Sequence, residues 1–254
     1  SLGKVTFVLV RDRTGIVQQN QDKVRFAYIP FSYDNNSDAR EGNILHGLEN
    51  ENIDDLISEM EDTYIQGNTH TGEAMREVYY YLTQDNSAAS YNDDHIDEGT
   101  SLDPYYEERD DGTIEPAFCR QSYVVLISDG QWNGSIDPDE WAHDLHTTDL
   151  RTDSDFPGDQ KADVYTLFAF ADDQQGEQAM KTVAAFGGYD DIDGTTCNDS
   201  APYDLTESSD SRYNSFPRPN CDPNNTYEDC CEEWDAEDGD GEPDTFYDAT
   251  DGQA

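Results

Sequence analysis

Residues 123–127, with the sequence YVVLI, form a continuous run of apolar and mostly β-branched or aromatic side chains. Such a run is typical of a central strand in a parallel sheet, because both faces of that strand are buried. The strand is followed closely by Asp129 and Gly130, an acid and then a glycine. A second buried strand is predicted at residues 164–170 (VYTLFAF). The two segments together favour a parallel sheet.

Helical patterns accompany these strands. Residues 53–60 place apolar side chains at i, i+3, i+4 and i+7, which is one face of a helix. Residues 23–31 alternate between polar and apolar side chains up to a proline, which predicts a further strand. Strands that alternate with helices indicate an α/β fold with a mostly parallel sheet flanked by helices. Further helices are predicted at residues 74–82, 141–150 and 178–186.

The alternation of strands and helices also suggests the domain organisation. The chain has 254 residues, which is enough for one large domain with insertions. Residues 84–116 are acidic, contain tyrosines and show little periodicity, so we expect an insertion there. The alternation is lost after about residue 192. We therefore predict an α/β domain over residues 1–192 and a cysteine- and acid-rich extension over residues 193–254.

The charge balance is strongly acidic. The chain has 58 acidic residues against 14 lysines and arginines, for a net charge of −44. Such a surface repels nucleic acid and anionic lipid, so neither is expected as a partner. The excess fits a surface adapted to high salt, a surface neutralised by calcium, or flexible acidic loops. Because the acids are spread along the whole chain, the first two explanations fit better than a single acidic tail.

Cysteine usage points to an oxidising compartment. Four of the five cysteines lie after residue 192, in a loop-rich stretch, which is the pattern of disulfide-stapled exported proteins. The pairing cannot be read from the sequence, and the odd count leaves one thiol unassigned. No run approaches the ~20 apolar residues of a membrane helix, and no signal peptide opens the chain, so an exported protein would be a mature or trimmed form. The cysteines are Cys119, Cys197, Cys221, Cys230 and Cys231.

Two side chains are candidates for a metal site in the α/β domain. Asp129 follows a predicted parallel strand, and ligands bind beyond the carboxyl ends of such strands. Thr69 lies in a loop just before a predicted helix, where its hydroxyl could reach the same place. Hard oxygen ligands suit Mg²⁺ or Ca²⁺. The alternative is that Asp129 and Gly130 form a turn and that Thr69 caps the helix.

An acidic loop near the end of the chain is a candidate calcium site. Asp238, Asp240 and Asp244 alternate with glycines and other residues, so their carboxylates could converge on one cation. They would occupy the third, fifth and ninth positions of a calcium loop, whereas Asp235 lies one residue before the first position. The alternative is an acidic loop that is simply solvated.

Several segments, in the same order, resemble the von Willebrand factor A-like region of PilC/PilY1-type adhesins, which belong to bacterial type IV pili. The resemblance is carried by the glycine- and threonine-containing loop at 67–75 and by the strand with Asp129 and Gly130. It covers roughly residues 20–254. The matching segments are residues 67–75, 119–134, 148–151, 164–170, 184–188 and 233–249.

The resemblance implies a Rossmann-like von Willebrand factor A fold at a pilus tip or on the outer cell surface, reached by export through the periplasm. Members of that family assist pilus extension and attachment to surfaces or host cells. Expected partners are therefore other pilus or surface proteins, and a host or surface ligand. Ca²⁺ is expected in the tail loop, and Mg²⁺ or Ca²⁺ near Thr69 and Asp129. The family's usual β-propeller is not found in this sequence.

The chain departs from the family at the first metal-binding motif. The pattern Asp-x-Ser-x-Ser is absent, and the nearest sequence is DRTGI at residues 12–16. Residues 4–20 are either a helix that follows the missing motif, or a shortened first unit in which Asp12 and Thr14 form a degenerate site. The apolar run at residues 5–10 fits a strand or a buried helix turn. A separate chain or segment that supplied the motif would complete the domain.

The leading hypothesis is therefore an adhesion or assembly module with divalent cations as structural ions. The alternative is a structural subunit of an extracellular filament whose metal sites are degenerate. An enzyme is the least favoured hypothesis, because no convincing nucleophile–base pair is present. We predict that the protein is not an enzyme and has no catalytic residue.

Overall fold

The structure is a computed structural model that describes residues 15–31, 42–63, 69–85, 93–117, 120–134, 136–169, 174–189, 234 and 242–249. The chain divides into two compact units. The first unit comprises Ser1–Arg120, Asn133–Ile136 and Leu150–Gln160. The second comprises Gln121–Trp132, Asp137–Asp149 and Lys161–Ala254.

The described part of the second unit is a three-stranded parallel sheet with helices on one face. The strands are β3 (Ser122–Ser128), β4 (Ala162–Phe168) and β5 (Phe246–Asp248). They are ordered β3-β4-β5, and Val124 pairs with Val164 while Thr166 pairs with Phe246. Helices α4 (Pro138–Thr147) and α5 (Gln174–Gly187) pack against β4 and against each other. The predicted parallel α/β architecture is therefore confirmed.

The alternation of side chains along β4 explains how α5 packs on the sheet. Val164 and Thr166 are fully buried, and the Thr166 hydroxyl donates to the carbonyl of Met180 in α5 at 3.1 Å. A Cβ added to Gly187 would lie only 2.5 Å from the Cβ of Val164. The glycine that ends α5 therefore lets the helix approach the strand closely.

The first unit contains helices and a small antiparallel hairpin. The elements are α1 (Ile16–Asn20), α2 (Ile53–Asp62), α3 (Thr71–Thr83), a 3₁₀ turn (Asp93–His95), β1 (Tyr106–Glu108) and β2 (Ile114–Pro116). In α3, Met75, Tyr81 and Leu82 are buried. In α2 only Leu56 is buried, and the Asn52 side chain caps the helix by accepting from the Asp54 N–H at 3.2 Å.

Most predicted elements are confirmed, but two regions differ. The strand predicted at residues 23–31 is wrong: Tyr28 makes one isolated antiparallel bridge to His46, and no strand extends from it. The acidic insertion at residues 84–116 contains the β1–β2 hairpin, which its weak periodicity did not reveal. Residues 5–10 and all five cysteines lie outside the described residues.

The predicted cysteine- and acid-rich extension also supplies a strand to the sheet. Within that region, β5 pairs in parallel with β4. The Thr245 hydroxyl, just before β5, donates to the carbonyl of Ala184 in α5 at 3.0 Å. The boundary predicted near residue 192 stays a prediction.

Candidate functional site

Asp129 lies where the sequence predicted it, directly after the carboxyl end of β3. Its side chain is exposed, and the following Gly130 has a φ of +118°. The Gly130 N–H donates to the Ser128 hydroxyl at 3.2 Å. A Cβ on Gly130 would lie 2.2 Å from the Cα of Gly176 in α5. The Asp-Gly pair is therefore a sharp bend, packed against a helix, that leaves the carboxylate of Asp129 in solvent.

Thr69 belongs to the first unit and lies two residues before α3. Its backbone carbonyl accepts from the Asn133 N–H at 2.7 Å. The N-cap position of α3 is His70, so the alternative that Thr69 caps the helix is wrong. Thr71, at the start of α3, is 1% exposed, and its hydroxyl has no hydrogen-bond partner among the described residues.

A buried acid that sequence reasoning missed lies in the first turn of α3. Glu73 is only 2% exposed. A Cβ added to Gly134 would lie 2.5 Å from a carboxylate oxygen of Glu73, so this glycine leaves room for the acid. The available signal was an acid at i and i+4, Glu73 and Glu77, on a helix whose other buried residues are mainly apolar.

The predicted metal ligands are distributed over both units. Thr69 is in the first unit and Asp129 is in the second. Within the described ranges, no three histidine, cysteine, aspartate or glutamate side chains are grouped so that they could hold a metal. Metal binding through Thr69 and Asp129 stays a prediction, with an oxygen ligand of the expected kind at each position.

The tail loop is described only at its end. Asp235, Asp238 and Asp240 lie outside the described residues, whereas Asp244 is half-buried. The Asp244 N–H donates to the carbonyl of Trp234 at 2.9 Å, which brings the two ends of the loop together. Calcium binding by this loop stays a prediction.

Three acids lie at the start of α4: Asp137 is the N-cap residue, and Asp139 and Glu140 are in the first turn. Asp137 accepts from the indole N–H of Trp132 at 3.1 Å. One carboxylate oxygen of Asp139 is enclosed and has no hydrogen-bond partner in the described part of the chain. Burial, together with the nearby charge of Asp137, raises the pKa of Asp139 to about 7. Burial also raises the pKa of Glu140. The turn can therefore take up a proton near neutral pH.

A second polar cluster links three segments of the first unit. The Tyr81 hydroxyl donates to Glu49 Oε2 at 2.9 Å and accepts from the Leu48 N–H at 2.6 Å. His95 Nδ1 lies 2.6 Å from Glu49 Oε1. The hydrogen bond to Glu49 raises the pKa of His95, and burial raises the pKa of Tyr81 well above its usual value. The cluster fixes residues 48–49 and 95 onto α3.

The comparisons and the helix lengths add no functional assignment. Comparison of the chain with protein-family models, with curated proteins and with solved structures gives no match. Of the helices that the structure describes, none has the length and apolar character needed to cross a bilayer. Functional proposals therefore depend on the chain's own residues.

Proposed function

We propose that the chain is a cell-surface or pilus-tip module for adhesion and assembly in the type IV pilus machinery, built on a von Willebrand factor A-like domain. It would bind a protein or surface partner after export through the periplasm, with divalent cations as structural ions. The observation that best supports the proposal is the parallel sheet in which Asp129 and Gly130 directly follow β3. This placement matches the segments that carry the resemblance.

The acidic surface supports the proposed role of divalent cations. With a net charge of −44, the folded chain gains stability from any cation that it binds more tightly than the unfolded chain does. Asp129 and Asp244 each present a carboxylate beside a strand of the second unit. Oxygen ligands of this type favour Ca²⁺ or Mg²⁺ over zinc or copper.

A filament subunit with degenerate metal sites is the second candidate. The observation that favours it is the lack of a three-ligand group among the described residues. A filament subunit would need no tightly bound cation for its assembly.

Calcium titration separates the two candidates. A cation whose free concentration is one hundred times its dissociation constant stabilises the folded chain by about 2.7 kcal/mol. For a domain of this size, the increase in Tm is about 5–10 °C. We expect that increase in millimolar calcium and a smaller one for Asp129→Asn or Asp244→Asn. NaCl of the same ionic strength is the control, and an equal increase in NaCl would contradict the cation-stabilised module.

Attachment is tested with pili. Type IV pili purified from the organism that encodes the chain are immobilised, and binding of the chain is measured by biolayer interferometry. We expect saturable binding that flagella from the same organism do not show. Equal binding to pili and flagella, or no binding to either, would exclude the pilus-associated function.

A further inference from the structure

One face of the sheet in the second unit carries a group of aromatic and aliphatic side chains that are exposed or half-buried. In the parallel register, Val125 pairs with Tyr165, and Leu167 pairs with Tyr247. Side chains that pair in this way lie on the same face of a sheet. Tyr123 lies on that face as well, because it is two residues before Val125. We call this group the tyrosine face: Tyr123, Val125, Tyr165, Leu167 and Tyr247.

The helices cover the opposite face. Val164 and Thr166, which alternate with Tyr165 along β4, are fully buried against α5. By contrast, Tyr123 is 59% exposed, Val125 is 61% exposed and Tyr247 is 49% exposed. Parallel sheets normally have both faces covered. A contiguous exposed apolar patch on such a sheet is the usual mark of an interaction surface.

The tyrosines of this face contact one another. The ring centroids of Tyr123 and Tyr165 are 6.1 Å apart, and those of Tyr165 and Tyr247 are 6.4 Å apart in a stacked arrangement. Neighbouring rings restrict each other's rotamers, so little side-chain entropy is left to lose on binding. Tyrosine is also enriched at the centres of protein interfaces.

Electrostatics indicates the kind of partner. Among the described residues of the second unit, Lys161 and Lys181 are the only lysines or arginines, and Lys181 already contacts Glu177 and Glu242. A second copy of the chain would bring another charge of −44 and would be repelled. The acids of the unit in the described ranges are Asp129, Asp137, Asp139, Glu140, Asp144, Asp149, Asp163, Glu177, Glu242, Asp244 and Asp248.

We propose that the tyrosine face docks a cationic, partly apolar segment of a partner protein. Lysine or arginine side chains of such a segment stack on the tyrosine rings as cations, and its apolar side chains cover Val125. The net negative charge of the chain attracts the segment over a longer distance and speeds its encounter. The inference extends the proposed function, since it names the surface and the partner class that an adhesion or assembly module would use.

The experiment uses a labelled peptide as the probe. A 12-residue peptide of alternating lysine and leucine is titrated with the full chain, and fluorescence anisotropy is measured in 0.15 M NaCl. The test variant Tyr123→Ser/Val125→Ser has the same net charge as the wild type. The control variant Val24→Ser/Ile114→Ser removes two exposed apolar side chains of the first unit, at 49% and 41% exposure.

We expect the test variant to bind the peptide at least about tenfold more weakly than the wild type. The control variant should bind as the wild type does. A second variant, Val125→Lys, should also lose binding, because it places a like charge beside the peptide. Urea unfolding of each variant verifies that the fold is retained. Equal affinities of the wild type and both tyrosine-face variants would overturn the proposal.

Other occupants of the face give different results. A wild-type dimer that Tyr123→Ser/Val125→Ser dissociates in sedimentation would assign the face to a second copy and overturn the proposal. A shortened chain that starts at residue 15 gives a further test. If it binds the peptide and the full chain does not, the first residues of the chain itself occupy the face, and the proposal is overturned.

The pilus assay keeps the two proposals apart. Pilus binding that the tyrosine-face variants retain would overturn the inference and leave the proposed function standing. Peptide binding that depends on the face, in a chain that does not bind pili, would support the inference and exclude the pilus-associated function.

Discussion

At the scale of single residues, the first unit depends on a few buried charges with specific partners. Asp103 is fully buried and Arg151 is 2% exposed. The Arg151 guanidinium donates to both carboxylate oxygens of Asp103, at 2.6 and 2.8 Å, and lies 4.7 Å from the ring centroid of Phe156. A charge that loses its partner in such a place costs far more than an exposed pair contributes.

We predict that Asp103→Asn lowers the free energy of unfolding by about 3–5 kcal/mol, because the buried Arg151 charge would lose its one fully buried counter-charge and keep only the more exposed Asp153 and Glu98. The measurement is urea unfolding followed by circular dichroism. Arg109→Gln is the control, since the Arg109–Glu115 pair is about half exposed on both sides and should contribute less than about 1 kcal/mol. Equal losses of unfolding free energy for Asp103→Asn and Arg109→Gln would contradict the larger contribution of the buried Arg151–Asp103 pair.

The pair of His95 and Glu49 predicts a pH dependence. The hydrogen bond to Glu49 raises the pKa of His95 above its ordinary 6.5. The contribution of the pair to the free energy of unfolding is therefore complete below about pH 6.5. It is lost as the pH rises through the raised folded pKa. Burial would raise the pKa of Glu49, but hydrogen bonds from His95 and Tyr81 outweigh it and lower that pKa. The Glu49 contribution is therefore lost only at acidic pH.

The test compares urea midpoints at pH 6 and pH 8.5. The wild type should lose stability across this range more steeply than His95→Gln, and Glu49→Gln should show the same reduced slope as His95→Gln. His143→Gln, a substitution on α4 in the other unit, should keep the wild-type dependence. If the urea midpoint of His95→Gln changes with pH as steeply as that of the wild type, the His95–Glu49 pair does not cause the pH dependence.

At the scale of elements, close contacts between a strand and a helix hold the second unit together. Gly130 follows β3 and meets Gly176 of α5, while Gly187 of α5 meets Val164 of β4. Lys181 of α5 lies 2.6 Å from Glu177, contacts Glu242 and stacks 5.0 Å from the ring centroid of Phe246 in β5. The helix thus contacts both strands that follow β3 in the sheet.

We predict that Gly130→Ala destabilises the protein by several kcal/mol, because strain at a φ of +118° adds to a clash with the backbone of Gly176. Gly112→Ala is the matched control. Gly112 also has a positive φ, +80°, but nothing lies within 4 Å of its added Cβ, so only about 1–2 kcal/mol of strain is expected. Thermal unfolding of both variants measures the difference, and similar losses would show that the contact with α5 is loose.

The elements that the sequence predicted correctly share one property. A pattern of apolar side chains with the period of a helix or a strand is present in the sequences of helices α2 to α5 and strands β3 and β4. Such a pattern is visible in consecutive residues. The hairpin of β1 and β2 and the strand β5 have three residues per strand, too few for a period to be recognised. The isolated bridge between Tyr28 and His46 depends on a contact across 18 residues of chain.

The run at residues 123–127 gave one correct and one incorrect expectation. A parallel strand forms there, as β3. The expectation that both of its faces are buried is wrong, because Tyr123 and Val125 are more than half exposed. A run of apolar residues in a strand indicates that both faces of the strand are suited to burial. It does not require that the covering element belongs to the same chain.

At the scale of the whole molecule, charge is the dominant property. A net charge of −44 on 254 residues opposes the compact state through self-repulsion. Screening shortens the reach of that repulsion from about 10 Å in 0.1 M salt to about 3 Å in 1 M salt. The chain should therefore be more stable in concentrated salt than in dilute buffer.

We predict that Tm rises between 0.05 and 1 M NaCl, because screening relieves repulsion that is stronger in the folded chain than in the expanded one. Scanning calorimetry gives the change. Sucrose at equal osmolality is the control, since it does not screen charge. A Tm that falls with NaCl would show that attractive exposed pairs such as Arg109–Glu115, which salt screens, outweigh the overall repulsion.

The sequence by itself determined the α/β class, the order of its main helices and strands, the position of Asp129 at the end of a strand and the strongly acidic charge balance. Periodicity and charge are properties of consecutive residues, so no distant contact is needed to read them. Only the tertiary structure decided that Arg151 meets Asp103, that Tyr81, Glu49 and His95 form one cluster, and that Tyr123, Val125 and Tyr247 share an exposed face. Those arrangements join residues far apart in the chain, and packing alone brings them together.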